Sequence, residues 1–311
     1  MIDILTSTKN MDRSNWLAWR NKGIGGSDVA TITGLNKYKS ALELWMEKVG
    51  SIEPKEAGEA AYWGNIMEPI IRNEFMIRTG LNVDTINSIL RHPKHKFMLA
   101  NVDGIVNDPI HGKCIFEAKT ASAYKQDLWK DDSIPEEYML QIQHYMAVTG
   151  YSKTYIAALI GGNTFVYKCI DRDDELIDMI LKLELDFWNC VVNTTPPAID
   201  GSESCSNLLN QLFPNANTGN TITLPMETKE LIEQLNQAKD LEKHYGEIKD
   251  EAINKLKAIL GDNECGVIDD ITISWKNVIT ERFNSKKLKE ELPDIYIKFL
   301  NNTSSRRFTI K

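Results

Sequence analysis

Asn101-Val102-Asp103-Gly104 and, after a short turn, Lys113-Cys114-Ile115-Phe116-Glu117-Ala118-Lys119 read as two neighbouring strands that bring three charged residues together. Side chains alternate across a strand, so Glu117 and Lys119 point to one face while Phe116 and Ala118 point to the other. A strand led by Cys114, Ile115 and Phe116 is expected to be buried. Two charged groups projecting from it then require each other, a metal ion or a cavity. Asp103 is followed by a glycine, which permits a sharp bend beside its carboxylate. An Asp, a Glu and a Lys on adjacent strands suit Mg²⁺ and phosphate: carboxylate oxygens hold a hard cation, and a lysine positions water or meets charge developing on phosphorus. The plainer alternative is a salt bridge between strands, with Asp103 in a turn.

Outward from this pair, strand and helix signals alternate. Asn107-Asp108-Pro109 and His111-Gly112 make the intervening turn. Upstream lie strand patterns at Asn82–Leu90 and Phe97–Val106, and helical patterns around Trp16 and Trp19, from Asp28, over Ala41–Val49 and over Ile66–Arg78. Downstream, Ser133 and Pro135 open a helix that runs to about Val148 and is closed by Gly150. Strands Thr154–Leu159 and Thr164–Ile170 flank the hairpin turn Gly161-Gly162-Asn163, and a helix over Asp173–Val192 follows. The expected fold class is α/β (α+β), a central mixed sheet flanked by helices. It occupies residues 1–195; a Pro/Gly/Asn/Ser-rich linker or irregular lobe covers 196–225, and a mainly helical extension with short strands covers 226–311.

The 311 residues carry 36 basic and 44 acidic side chains, a net charge of −8, which excludes a protein that coats nucleic acid through its overall charge. A local basic channel remains open: from Ile271 onward, nine Lys/Arg face four Asp/Glu. Lys276, Arg282, Arg306 and Arg307 are DNA-contact candidates there, against a solvated surface as the alternative. No apolar run is long enough to span a bilayer and no signal pattern opens the chain, so a soluble intracellular protein is expected. The five cysteines are scattered without a CxxC pair, which argues against zinc ribbons and disulfide scaffolds. No GxGxxG or GxxxxGK[ST] occurs, which argues against a dinucleotide or P-loop enzyme.

Two helical residues are candidates to join the acidic strands. Gln143 falls inside the apolar stripe Met139, Ile142, Met146, where a glutamine needs partners; a metal-bound water or a lysine would serve, as would an ordinary core partner. Glu68 lies among Met67, Ile71 and Phe75, with a capping box from Asn65 as the alternative. Near the N-terminus, Arg20 and Ile24-Gly25-Gly26-Ser27-Asp28-Val29-Ala30 form a glycine turn opening a helix, an anion-site pattern that is equally a plain N-cap.

In sequence order, Arg20 with IGGSDVA, Trp63-Gly64-Asn65-Ile66-Met67-Glu68-Pro69, Asn101-Val102-Asp103-Gly104, Phe116-Glu117-Ala118-Lys119 and Met139-Leu140-Gln141-Ile142-Gln143-His144-Tyr145 resemble the lambda-exonuclease/YqaJ branch of the PD-(D/E)XK nucleases over about residues 12–192. Val102 replaces the proline of the family pair. The resemblance implies metal binding by Asp103, Glu117 and the Ala118 carbonyl, with Glu68 at the metal site, Lys119 as the catalytic lysine and Gln143 beside it. It implies 5′-phosphate binding by Arg20 and Ser27, and a weaker phosphate contact at Asn101. The implied activity is a Mg²⁺-dependent, Mn²⁺-tolerant 5′→3′ exonuclease on double-stranded DNA ends, with one or two ions per site. It would leave 3′ overhangs for a single-strand annealing protein in phage-type recombination. A homo-oligomer, a ring trimer by resemblance, and a phage or prophage origin in the bacterial cytoplasm go with it, without a membrane partner. Two alternatives remain at this level: a nicking or structure-specific endonuclease of the same superfamily, and a catalytically silent DNA-end or partner-binding module.

Overall fold

The computed structural model describes residues 3–55, 58–301 and 305–310. The chain divides into two compact units, Met1–Phe213 and Pro214–Lys311. In the first, the order is β1 (Asp3–Ser7), α1 (Arg13–Arg20), β2 (Ile24–Gly25), α2 (Gly26–Ile32), α3 (Ala41–Lys48), α4 (Glu59–Thr79), β3 (Val83–Asp84), β4 (Ser88–Arg91), β5 (Met98–Ala100), β6 (Gly104–Asp108) and β7 (Gly112–Ala121). A 3₁₀ turn (Ala123–Trp129), α5 (Glu136–Thr149), β8 (Lys153–Ile160), β9 (Thr164–Asp171), α6 (Asp174–Val192) and α7 (Glu203–Leu212) follow.

The strands form two sheets, ordered β1-β4-β5-β2 and β3-β6-β7-β8-β9. The second is mixed: β6 and β9 run antiparallel to their neighbours, whereas β7 and β8 pair in parallel, Glu117 opposite Ile156 and Lys119 opposite Ala158. The expected strand Phe97–Val106 therefore splits. β5 ends at Ala100 in one sheet, β6 begins at Gly104 in the other, and Asn101, Val102 and Asp103 carry the chain across. A Cβ at Gly104 would meet Val83 Cγ1 at 2.5 Å, so the crossing strand needs glycine to let β3 approach. Asn82–Leu90 splits in the same way, into β3 and β4.

The alternation read from the sequence is the alternation of the core. Ile115 joins the large cluster around α5, with Ile142, Met146, Ile156 and Met98. Cys114 and Phe116 join a second cluster with Ile71 and Phe75 of α4. Phe75 and Phe116 are fully buried with ring centroids 5.0 Å apart, each worth about 1.5–3 kcal/mol of transfer free energy. The sheet is thus covered by α5 on one face and α4 on the other. Helix α4 starts two turns earlier than the apolar pattern suggests and tolerates Pro69 in its interior. Because Gly58 is its N-cap, Asn65 is a mid-helix residue and the capping-box role for Glu68 falls away. Helix α7 lies within the stretch read as a linker, and it buries Cys205 and Leu208 with Leu42 of α3. The second unit comprises α8 (Thr228–Leu260), the hairpin β10 (Cys265–Ile268) and β11 (Ile271–Ser274), α9 (Ser285–Glu291) and α10 (Pro293–Lys298). Among the described residues, no helix is long and apolar enough to cross a membrane.

Candidate active site

The β6–β7 ladder ends at the Gly104–Phe116 pair, so the next inward N–H on β7, that of Ala118, has no strand to meet. Asp103 fills the gap: its Oδ2 accepts from the Ala118 N–H at 2.8 Å. This contact ties the crossing segment to the strand that carries Glu117 and Lys119. All three line a cleft of about 430 Å³ with Gly64, Asn65 and Glu68 of α4 and with Tyr138 of α5.

Glu117 is 2% exposed. Its Oε1 accepts from Lys119 Nζ and from Gln141 Nε2, both at 2.7 Å, while its Oε2 is buried without a partner. Lys119 also donates to Gln141 Oε1 at 3.0 Å, and its Nζ lies 4.9 Å from the centroid of the Tyr138 ring. Burial, and then the neighbouring Asp103 charge, push the Glu117 carboxyl up to about 8. Burial likewise raises Asp103 against the pull of Lys119, and raises Glu68, with Asp103 adding to it. Lys119 is held above the ordinary lysine range because Glu117 and Asp103 outweigh its burial. Three carboxyls, those of Asp103, Glu117 and Glu68, share two cations here, Lys119 and Arg72, so the cleft is short of positive charge.

Glu68 lines the cleft but is turned toward Arg72 at 3.0 Å, and Arg72 also donates to the Asp103 carbonyl at 3.3 Å. Among the described residues, no three His, Cys, Asp or Glu side chains are spaced to hold an ion by themselves. Asp103 and Glu117 would therefore need a main-chain oxygen, such as that of Ala118, to complete a ligand set. The orphaned Glu117 Oε2 and the mutual repulsion of the carboxyls fit a hard divalent cation there.

The helix glutamine that meets the acidic pair is Gln141, not Gln143. Gln143 turns the other way, donating to the Asp171 carbonyl at 2.8 Å and accepting from the Asp173 N–H at 2.9 Å, which fastens α5 to the start of α6. Two residues apart on a helix lie about 200° apart, so only one of them can face β7. The apolar stripe did not choose between them because α5 is buried on every side from Gln141 to Thr149. His144 is also structural: buried completely, it pairs with Glu184 at 2.6 Å and with the Leu99 carbonyl at 2.8 Å. Arg72, Tyr138 and Gln141 are the site residues that sequence reasoning missed. Gln141 alone left a trace, as the first glutamine of the Q-x-Q pair.

The N-terminal motif forms a second polar cluster. Arg20 Nη2 bonds Ser27 Oγ and reaches Asp28 Oδ1 at 3.2 Å, with its guanidinium carbon 5.3 Å from the Trp16 ring centroid. Asp28 Oδ2 accepts from Lys48 Nζ at 2.9 Å and from the Gly25 N–H at 3.0 Å. Burial disfavours the Asp28 charge, but Lys48 and Arg20 hold its carboxyl far below the usual range. Two cations thus share one carboxylate, which leaves an uncompensated positive charge beside an exposed serine. Asn101 lines a cavity with Arg20 here, rather than facing the acidic cleft. Lys276, Arg306 and Arg307 lie exposed in the second unit.

A family model for the YqaJ-like viral recombinase domain matches residues 15–152. Protein YqaJ of Bacillus subtilis (strain 168) is 43% identical over 313 residues, which span 99% of this chain and 97% of that one. Among solved structures, LHK-Exo in complex with dAMP aligns at 23% identity with a TM-score of 0.50, covering 65% of this chain and all of that one. LHK-Exo alone, an alkaline exonuclease from Laribacter hongkongensis, gives 21% identity and a TM-score of 0.49 over the same shares. The chain accordingly shares the fold of LHK-Exo over 65% of its length, and it belongs to the YqaJ-like viral recombinase domain family.

Proposed function

We propose that the protein is a Mg²⁺-dependent nuclease that digests one strand of linear duplex DNA from the 5′ end. The 3′ overhang it leaves would be handed to a single-strand annealing protein in phage-type recombination. The observation that carries this reading is the convergence of Asp103, Glu117 and Lys119 from a strand crossing and a strand end into one cleft that lacks balancing positive charge. Membership of a viral recombinase family and a fold shared with an exonuclease support it.

Asp103, Glu117 and the Ala118 carbonyl would hold the ion, with Glu68 alongside once released from Arg72. When bound, the ion supplies Lewis-acid activation of water and of the scissile phosphate. The protein's own groups do the rest. Lys119, fixed by Glu117, Gln141 and the Tyr138 ring, presents its ammonium to the phosphate oxygens as negative charge develops. Gln141 holds Glu117 and Lys119 in one geometry, so neither must reorganise during reaction. Arg20 and Ser27 bind the terminal phosphate, and the uncompensated charge around Asp28 favours an anion there.

Mn²⁺ is expected to replace Mg²⁺. A ring trimer acting in the bacterial cytoplasm completes the proposal, since enclosure of DNA would offset a net charge of −8. Asp103→Ala tests the chemistry: it should bind a duplex end yet cleave at least about a thousandfold more slowly. Wild-type turnover by the folded variant would overturn the assignment.

A further inference from the structure

One pair of side chains lies between the two polar clusters. Gln141 and Tyr145 lie one turn apart on the same face of α5, and the Gln141 carboxamide makes three hydrogen bonds. It accepts from Lys119, and its nitrogen donates to Glu117 Oε1 at 2.7 Å and to the Tyr145 hydroxyl oxygen at 3.0 Å. A carboxamide set between an ammonium and a carboxylate has only one sensible orientation, and Tyr145 supports it from behind. Because the tyrosine oxygen accepts this bond, its own proton remains to be donated elsewhere.

The ring of Tyr145 points at the N-terminal motif. A Cβ on Gly26 would come within 2.5 Å of Tyr145 Cε1 and 3.0 Å of Gln141 Cγ, so glycine is required for this contact. With Arg20 and Asn101 as the other polar side chains and Trp16, Ile89 and Leu99 as apolar wall, Tyr145 lines a cavity of about 30 Å³. That is room for one or two oxygen-sized atoms and far too little for a base. Among the described residues Arg20 is the one cation on the cavity wall, so the polar group that suits the space is a single oxygen of an oxyanion.

We propose that the Tyr145 hydroxyl couples the state of the 5′ end to cleavage. It donates to an oxygen of a terminal phosphate held by Arg20 while accepting from Gln141, and so fixes the carboxamide that orients Glu117 and Lys119. The inference rests on the end-phosphate and nuclease readings above and adds a link between them. Tyr145 is a positioning residue for the chemistry and a determinant of end specificity. An O–H that donates to an anion is polarised and becomes a better acceptor, so an occupied end pocket strengthens the Gln141 bond.

The test compares identical linear duplexes ending in 5′-phosphate or 5′-hydroxyl, for wild type and Tyr145→Phe. Two quantities are read: cleavage rate with Mg²⁺, and affinity in EDTA by fluorescence anisotropy. Wild type should prefer phosphorylated ends in both. Tyr145→Phe, which keeps the ring against Gly26, should lower the phosphate-to-hydroxyl rate ratio about tenfold, chiefly through kcat, as expected for one lost hydrogen bond to a charged group. Its phosphate-dependent gain in metal-free affinity should also shrink. With Arg20→Ala in the same chain, the two losses should not add. Should the Phe variant misfold, Gln141→Leu serves instead and must also depress the rate ratio. A folded variant that keeps the wild-type ratio in both rate and affinity overturns the coupling and leaves the end pocket standing. A wild type blind to the end phosphate overturns the pocket, and the coupling with it.

Discussion

Replacing Glu117 by glutamine should stabilise the metal-free protein at neutral pH while removing its activity. Glu117 is buried, one of its oxygens is unpartnered, and its carboxyl is raised to about 8, first by burial and then by Asp103. An acid raised in the folded state holds more protons there than in the unfolded chain. The stability it allows is full below the unfolded pKa and is lost as pH rises through the folded one. At pH 7, roughly 2.5 units above the unfolded value and at about 1.4 kcal/mol per unit, the ionisable group costs about 3 kcal/mol. Glutamine has no such cost, although an amide proton left unpaired at the Oε2 position takes back about 1–3 kcal/mol. The net gain is on the order of 1 kcal/mol at pH 7 and vanishes or reverses at pH 5, which lies only about half a unit above the unfolded value, so that the carboxyl costs less than about 1 kcal/mol there. Urea unfolding in EDTA at the two pH values measures it. A variant less stable than wild type at pH 7, or a difference that does not change with pH, would refute the reasoning. Mg²⁺ at about 10 mM should raise the wild-type midpoint and leave that of Glu117→Gln in place.

Other substitutions separate chemistry from scaffold. Lys119→Met should slow cleavage by about 10²–10³ with little change in DNA affinity, read from single-turnover rates and anisotropy. Gln141→Leu should lower kcat, whereas Gln143→Leu, which orphans the Asp171 carbonyl and the Asp173 N–H, should cost about 2 kcal/mol in urea unfolding and leave the turnover of the folded fraction intact. His144→Leu strands the completely buried Glu184 and should destabilise by about 3–5 kcal/mol in the same assay. The His144 imidazole is held above its ordinary value because Glu184 outweighs its burial. The stability it gives is therefore full below about pH 6.5 and is lost as pH rises through the higher folded pKa. Asp28→Asn leaves Lys48 buried against Arg20 without the shared carboxylate and should cost a similar amount.

The site was most legible in the sequence where it obeys a short period. Two-residue alternation alone put Glu117 and Lys119 on one face of β7 and Phe116 on the other, and the two core clusters follow that division. The residue pairs that tertiary packing decides were not legible. Gln141 and Gln143 differ only in which neighbour each faces, and a helix buried all round offers no solvent side to distinguish them. Asp103 reads as part of the strand Phe97–Val106, with the following glycine to mark a bend, and the structure puts it at that bend between two strands. Its position between two sheets, and its bond to the Ala118 N–H, depend on where the β6–β7 ladder stops, at the Gly104–Phe116 pair. Arg72 and Tyr138 carry no pattern at all, because their roles come from the approach of α4 and α5 to one strand end. Pro69 hid the true start of α4, since a proline ordinarily marks a helix boundary rather than its interior.

The most direct test of the proposed activity is digestion of a linear duplex carrying a 5′-phosphate on one strand only, run with Mg²⁺ and with EDTA. Selective, metal-dependent loss of the phosphorylated strand is the expected result. Internal cuts, equal loss of both strands, or unimpaired cleavage in EDTA would contradict it.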